Sequence, residues 1–252
     1  ASVAGNNALA VSNVIGSNLF NLMFVCGACA LFAPLIVQKD TLKKEIPVSV
    51  LCAVLLFVLG ISGMEIGRTD GVILLLLFIG FLVWMVRSAL KAHAASAEAE
   101  DPSGEYKIYP AWKCALYIVG GAVAIKFGGD FVVAIAVKAG LSQNLIGLTI
   151  VAMGTSLPEF VTSVVAARKN EVDMAFGNVI GSNIFNILFI LGVTAAISPV
   201  AFIMENVVDS ILLVLVSILV WVFAWSRLHI EKKEGVVLLA CYAGYLIYIC
   251  TR

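Results

Sequence analysis

The sequence predicts an all-α polytopic membrane protein built from two repeats that cross the bilayer in opposite senses. Three observations carry that reading. The chain of 252 residues is 62% hydrophobic and 13% charged, against about half and about a quarter in soluble domains. Apolar runs recur along its whole length, and about 20 apolar residues suffice to span a bilayer as a helix. Finally, residues Ala10–Asn21 (AVSNVIGSNLFN) match Ala175–Asn186 (AFGNVIGSNIFN) without a gap. The runs are continuous rather than alternating, which excludes the two-residue period of a transmembrane barrel.

Taken in order, the runs bounded by polar residues predict spans at 8–33, 45–63, 70–92, 110–137, 142–167, 173–197, 206–227 and 234–250. The segment 93–109 is rich in Ala, Ser and Glu and contains Asp101-Pro102-Ser103-Gly104, which reads as a solvated connector. It separates residues 1–92, with three spans, from residues 110–252, with five. The internal match continues beyond the motif, with Pro34 over Pro199 and Asp70–Leu75 over Glu234–Leu239. Five spans per repeat is odd, so two complete repeats in tandem enter the membrane in opposite senses, a plan common among secondary transporters. On this count the first repeat lacks about two spans, and the opening Ala1-Ser2-Val3, without an initiator Met, reads as a truncation.

Charge supplies the orientation. Lys39, Lys43 and Lys44 follow the first span, Arg87, Lys91, Lys107 and Lys113 flank the connector, and Arg168, Lys169, Arg227, Lys232 and Lys233 follow later ones. All fall on one side, while Arg68, Lys138 and Arg252 fall on the other, so the connector is expected to be cytoplasmic and the C-terminus external. The formal net charge is zero, which gives no support to a nucleic-acid or polyacidic partner; the expected surroundings are the lipid of a cell inner membrane. Of the six cysteines, Cys26 and Cys29 have thioredoxin-like spacing, but they lie inside a spanning helix and read as small hydrophobes. Asp130, four residues after Lys126, reads as half of an ion pair, and Glu205 and Asp209 as residues of the membrane edge.

Polarity in mid-span marks the chemistry. Ala152–Glu159 (AMGTSLPE) places a carboxylate inside the fifth span, where it costs a few kcal/mol unless it faces a partner, a cavity or an ion. Pro158 has no N–H for the carbonyl of Gly154, so the helix is expected to break there and free a carbonyl oxygen. Thr155, Ser156 and Glu159 add hydroxyl and carboxylate oxygens, a donor set suited to calcium and sodium rather than to softer metals. Asn178, Ser182 and Asn186 recur every fourth residue on the next span, and Asn13, Ser17 and Asn21 on its repeat mate. Each set marks one helix face. Asn18 and Asn183 fit either interhelical packing or a pocket lining. The spans contain no Ser/His pair, HExxH or Cys/His set, so nothing points to an enzyme.

The two motifs, GTSLPE at Gly154–Glu159 and GNVIGSNIFN at Gly177–Asn186, resemble the second α-repeat of the prokaryotic sodium/calcium exchangers in the cation/calcium exchanger superfamily. The resemblance covers the whole chain. It implies a ten-helix parent whose first helix, and the corresponding GTSxPE part of the second, precede Ala1. It also implies a calcium/sodium antiporter without a cofactor, with Ca2+ and Na+ as transported ions and a calcium/proton antiporter as the alternative. In that family, Glu159 and the Thr155 carbonyl would hold calcium and sodium; the Ala152 carbonyl, Ser156 and Ser182 would line a flanking sodium site, and Ser17 its symmetric counterpart. Asn21 and Asn186 match the central positions, where some relatives carry Asp in the second repeat. The span 110–137 would slide as a gate, and this chain by itself is expected not to transport.

Overall fold

The structure, a computed structural model, describes residues 7–96, 110, 112, 113, 116, 119, 120, 146–169 and 172–251. The expected span 110–137, the Lys126–Asp130 pair and the body of the connector therefore lie outside the described residues. Helix α1 (Asn7–Leu19) continues through a π-helical stretch, Phe20–Val25, into α2 (Cys26–Phe32). After a π-helical turn at Thr41–Glu45 come α3 (Ile46–Gly63) and α4 (Arg68–Ser96). In the second half a π-helical turn, Gly147–Val151, leads into α5 (Ala152–Thr155) and α6 (Leu157–Arg168). Then follow α7 (Val172–Phe185), a second mid-span π stretch at Asn186–Leu191, α8 (Gly192–Ile197), α9 (Met204–Arg227) and α10 (Lys232–Thr251).

Six of these helical runs are long and apolar enough to cross a membrane, and the bent α5–α6 pair makes a seventh. Along α4, Leu76, Leu77, Ile79, Leu82 and Val83 are all exposed. A contiguous apolar face of that kind fits lipid rather than water. Helix α4 also runs to Ser96, so the first four residues of the expected connector are helical: His93-Ala94-Ala95-Ser96 carries no Pro or Gly to stop the helix.

The repeat seen in the sequence is a pseudo-twofold in space. Two-residue strands β1 (Leu35–Ile36), β2 (Glu65–Ile66), β3 (Val200–Ala201) and β4 (His229–Ile230) pair across the halves, β1 with β4 and β2 with β3, both antiparallel. The flanking bonds are mates too: Val37 donates to the Leu228 carbonyl (2.8 Å) and Phe202 to that of Met64 (2.9 Å). Met64 and Leu228, which end α3 and α9, share the left-handed conformation. Helix α4 packs on α8, and α10 on α2. A Cβ added at Gly71 would lie 2.7 Å from the Gly192 carbonyl, and one at its mate Gly235 2.9 Å from that of Gly27. Backbone meets backbone at both crossings, so any side chain larger than hydrogen would push the helices apart.

A candidate cation site between the repeats

From Val11 to Leu19 every residue of helix α1 but Asn13 is buried, which places its polar residues in the protein interior. Gly16 lets α1 lie directly on the broken helix: an added Cβ there would sit 2.7 Å from the Leu148 carbonyl oxygen and 2.8 Å from the Ala152 Cβ. The break falls at Ser156, where α5 and α6 diverge by 51°. Pro158 sits in the first turn of α6, a position where its missing N–H costs nothing. Ser156 is buried, its backbone N–H bonded to the Ala152 carbonyl (3.1 Å), while its own carbonyl accepts from Phe160 (3.0 Å).

Two groups of polar side chains form around this break. On one side, the Thr155 hydroxyl lies 3.0 Å from Ser17 Oγ and within donating distance of the Ala152 carbonyl (3.1 Å) and Asn13 Oδ1 (3.4 Å). Ser17 also reaches the Ala152 carbonyl (3.4 Å). On the other side, Asn178 donates to the backbone carbonyl of Glu159 (3.3 Å) and to Ser163 Oγ (3.0 Å), and the Ser182 hydroxyl is in hydrogen-bonding reach of the Glu159 carboxylate. Glu159 Oε2 is buried and has no hydrogen-bond partner. Such an atom carries an uncompensated desolvation cost.

A quartet of asparagines joins the two groups. Asn18 Nδ2 donates to the Asn183 backbone carbonyl (3.2 Å), and Asn183 Nδ2 returns the bond to the Asn18 carbonyl (3.4 Å). Asn21 Nδ2 then donates to Asn183 Oδ1 (3.1 Å) and Asn186 Nδ2 to Asn18 Oδ1 (3.0 Å). The structure thus brings Asn13, Ser17, Asn18 and Asn21 of the first helical run together with Ala152, Thr155, Asn183 and Asn186 where that run crosses α5 and α7, and brings Glu159 together with Asn178 and Ser182 between α6 and α7. Among the described residues no group of three His, Cys, Asp or Glu could hold a metal. The oxygens of the seam come from one carboxylate, hydroxyls, amides and backbone. An apolar cavity of about 480 Å³, lined by Phe20, Phe24, Met153, Phe160 and Tyr242 among others, adjoins this seam.

Two features escape the sequence reading. Ser163 lies one turn beyond Glu159, accepts from Asn178 and donates to the Ala175 carbonyl (3.2 Å), tying α6 to α7; its spacing of four from Glu159 is a signal that was there to use. Asp209, expected at the membrane edge with Glu205, is fully buried, whereas Glu205 is exposed. Its neighbour Asn206, also buried, accepts from the Ile203 N–H (3.2 Å) and donates to Ser12 Oγ (3.1 Å). The start of α9 is thus packed against α1.

Comparison with known proteins agrees with this architecture. The family model described as "Sodium/calcium exchanger protein" matches residues 1–87 and 110–251. The putative antiporter CaxA of Alkalimonas amylolytica is 35% identical, with 94% of this chain and 76% of that protein covered. The sodium/calcium exchanger MaX1 of Methanosarcina acetivorans is 26% identical, with coverage of 99% and 82%. A solved structure of the sodium-calcium exchanger NCX_Mj, soaked with Na+ and Sr2+, superimposes with a TM-score of 0.72 at 33% identity, covering 96% of this chain and 77% of that one. An interior seam of oxygen donors at a broken helix, on a frame shared with these relatives, places the chain in the sodium/calcium exchanger family, as a prokaryotic-type member of the cation/calcium exchangers.

Proposed function

We propose that the protein is a secondary antiporter that exchanges calcium for sodium by alternating access, with the ions bound in the seam between the repeats. The observation that carries this reading is Glu159: its Oε2 is buried without a partner, beside Ser182 and behind a helix break. A cation supplies the missing partner. Calcium takes six to eight oxygen ligands, and the carboxylate, the hydroxyls of Thr155, Ser156, Ser182 and Ser17, and the amide oxygens of Asn21 and Asn186 form the candidate set, with the Thr155 and Ala152 carbonyls beside them. Asn13, Asn18, Asn178 and Asn183 support it. The names of MaX1 and NCX_Mj favour sodium as counter-ion.

An empty site leaves a carboxylate uncompensated at low dielectric, and a loaded one does not. Loaded forms therefore change facing more readily than the empty form, which is what obligatory exchange requires. The lysine and arginine distribution orients the connector to the cytoplasm and the C-terminus outward. The test is calcium-45 uptake by sodium-loaded proteoliposomes of the full-length protein, with wild type and Glu159→Gln compared. Uptake that needs an outward sodium gradient and is lost in the variant supports the reading. Uptake driven by a pH gradient without sodium would make it a calcium/proton antiporter, and unimpaired uptake by the variant would remove Glu159 from the site.

A further inference from the structure

Asparagine is an ambiguous ligand, because its amide offers a cation either an oxygen or an NH2 group. In this seam the ambiguity is removed by chemistry. The backbone carbonyls of Asn183 and Asn18 can only accept, so the side chains that meet them, those of Asn18 and Asn183, must present their NH2 groups there. Their Oδ1 atoms then face Asn186 and Asn21 respectively, and an oxygen can only be met by a donor. Asn21 and Asn186 are therefore committed to turn NH2 toward the asparagine pair and Oδ1 away from it.

The buried Asn21 side chain shows the result. Asn21 is 0% exposed, its NH2 is occupied by Asn183 Oδ1, and its Oδ1 has no hydrogen-bond partner. Leaving a buried acceptor unsatisfied costs about 1–3 kcal/mol, and flipping the amide would not relieve it, since two oxygens would then face each other at Asn183. The same logic runs through Asn18 to Asn186 on the other side of the pseudo-twofold. Where α1 and α7 cross, the α1 helix widens, with the Cys26 N–H reaching back five residues to the Asn21 carbonyl. A π-bulge of this kind re-aims side chains at functional sites.

We propose that Asn18 and Asn183 are positioning residues: each uses a backbone carbonyl of the opposite repeat as a fixed reference and so orients a neighbouring amide, Asn186 or Asn21, with its oxygen toward the transported cation. This rests on the calcium/sodium reading of the site, and assigns to the asparagine of each GSN motif a role in cation selectivity rather than packing alone. The relay sets polarity without charge, so the site gains two oriented oxygens with no added titratable group.

Calcium affinity of the full-length protein in detergent, measured by calcium-45 equilibrium binding alongside thermal unfolding without ion, tests the relay. Asn183→Ala releases the Asn21 amide to rotate, and should weaken calcium binding about tenfold, the loss of one oriented ligand. Asn21→Asp, whose two ends are both oxygen, should restore affinity in the Asn183→Ala background, because orientation no longer matters. In the parent it should fail to improve binding, because a carboxylate oxygen then opposes Asn183 Oδ1. This dependence on background is the signature, since a packing defect would not be rescued by Asn21→Asp. Unchanged affinity in Asn183→Ala, or equal gains from Asn21→Asp in both backgrounds, would overturn the relay while leaving the exchanger reading in place. Absence of calcium binding by the parent protein would instead remove both.

Discussion

Replacing Glu159 by Gln separates a ligand from a structural residue, because the two roles predict opposite changes in stability. The variant keeps the size of the side chain and one oxygen, but loses the charge. In the ion-free protein the buried, unpartnered Oε2 is a cost, and a neutral amide is cheaper to hold in the membrane interior. Ion-free Glu159→Gln should therefore unfold at the same temperature as the parent or higher. In the ion-bound protein the balance reverses: removing one member of a buried charge pair costs about 2–5 kcal/mol. Gln retains one oxygen, so the lower part of that range applies; at 1.4 kcal/mol per decade, about 2–4 kcal/mol is a roughly 30- to 700-fold weaker calcium complex. Calcium at about 100 times the parent's Kd stabilises the parent by about 2.7 kcal/mol, and stabilises a variant 700-fold weaker by about 0.1 kcal/mol. The assay is thermal unfolding of the purified full-length protein over a calcium titration. An equal calcium-dependent rise in Tm for both proteins, or a lower Tm for the ion-free variant, would refute the assignment of Glu159 as the cation's carboxylate.

Further predictions concern the frame and its surface. Gly71→Ala, whose Cβ would lie 2.4 Å from the Ala196 backbone nitrogen, should destabilise the protein by about 3 kcal/mol, at the upper end of overpacking costs because backbone cannot yield. Gly80→Ala on the same helix, with nothing within 4 Å, should be neutral or raise stability by up to about 1 kcal/mol; the pair is compared by chemical denaturation in mixed micelles. Asn186→Asp removes the donor that Asn18 Oδ1 receives unless the new carboxyl is protonated, so its calcium uptake should show a pH dependence beyond that of the parent, whose Glu159 carboxylate must itself be ionised to hold calcium. Glu231, in the α9–α10 loop, accepts a hydrogen bond from Arg227, and that guanidinium holds its carboxyl below the usual value, with His229 adding to the effect. The sign follows: the contribution of this pair is present above the ordinary glutamate pKa of about 4.3 and is lost as pH falls through the depressed one. A carboxyl 13C titration should show Glu231 moving back toward the ordinary value in Arg227→Ala.

Much of this architecture is written locally. The spans follow from apolar runs, the twofold from the match of Ala10–Asn21 to Ala175–Asn186, and the polar seam from the rarity of Thr155, Ser156 and Glu159 in such company. What escaped depends on partners distant in sequence. Asp209 reads as an edge residue because it opens an apolar run, and its burial follows from the packing of α9 against α1, which no local pattern shows. The π stretches at Phe20–Val25 and Asn186–Leu191 have no compositional mark, since they lie where Asn18 and Asn183 exchange bonds across the crossing. Strands of two residues are too short to show alternation at all. Asn18 and Asn183 admitted two readings for the same reason: only the acceptor each one meets decides between them.

The crossed strand pairs also constrain how the protein is made. Leu35 finds its partner at Ile230 and Glu65 at Ala201, so neither ladder can close until most of the second half has left the ribosome. Helices α1 to α4 must therefore wait in the bilayer with their edge strands unpaired, at the roughly 5–20 residues per second of synthesis. That waiting period is the interval in which quality-control proteases and insertion chaperones meet an open β1 or β2 edge. Substitutions in the short loops around Pro34 and Met64 should accordingly lower yield in cells more than they lower the stability of protein that has completed assembly.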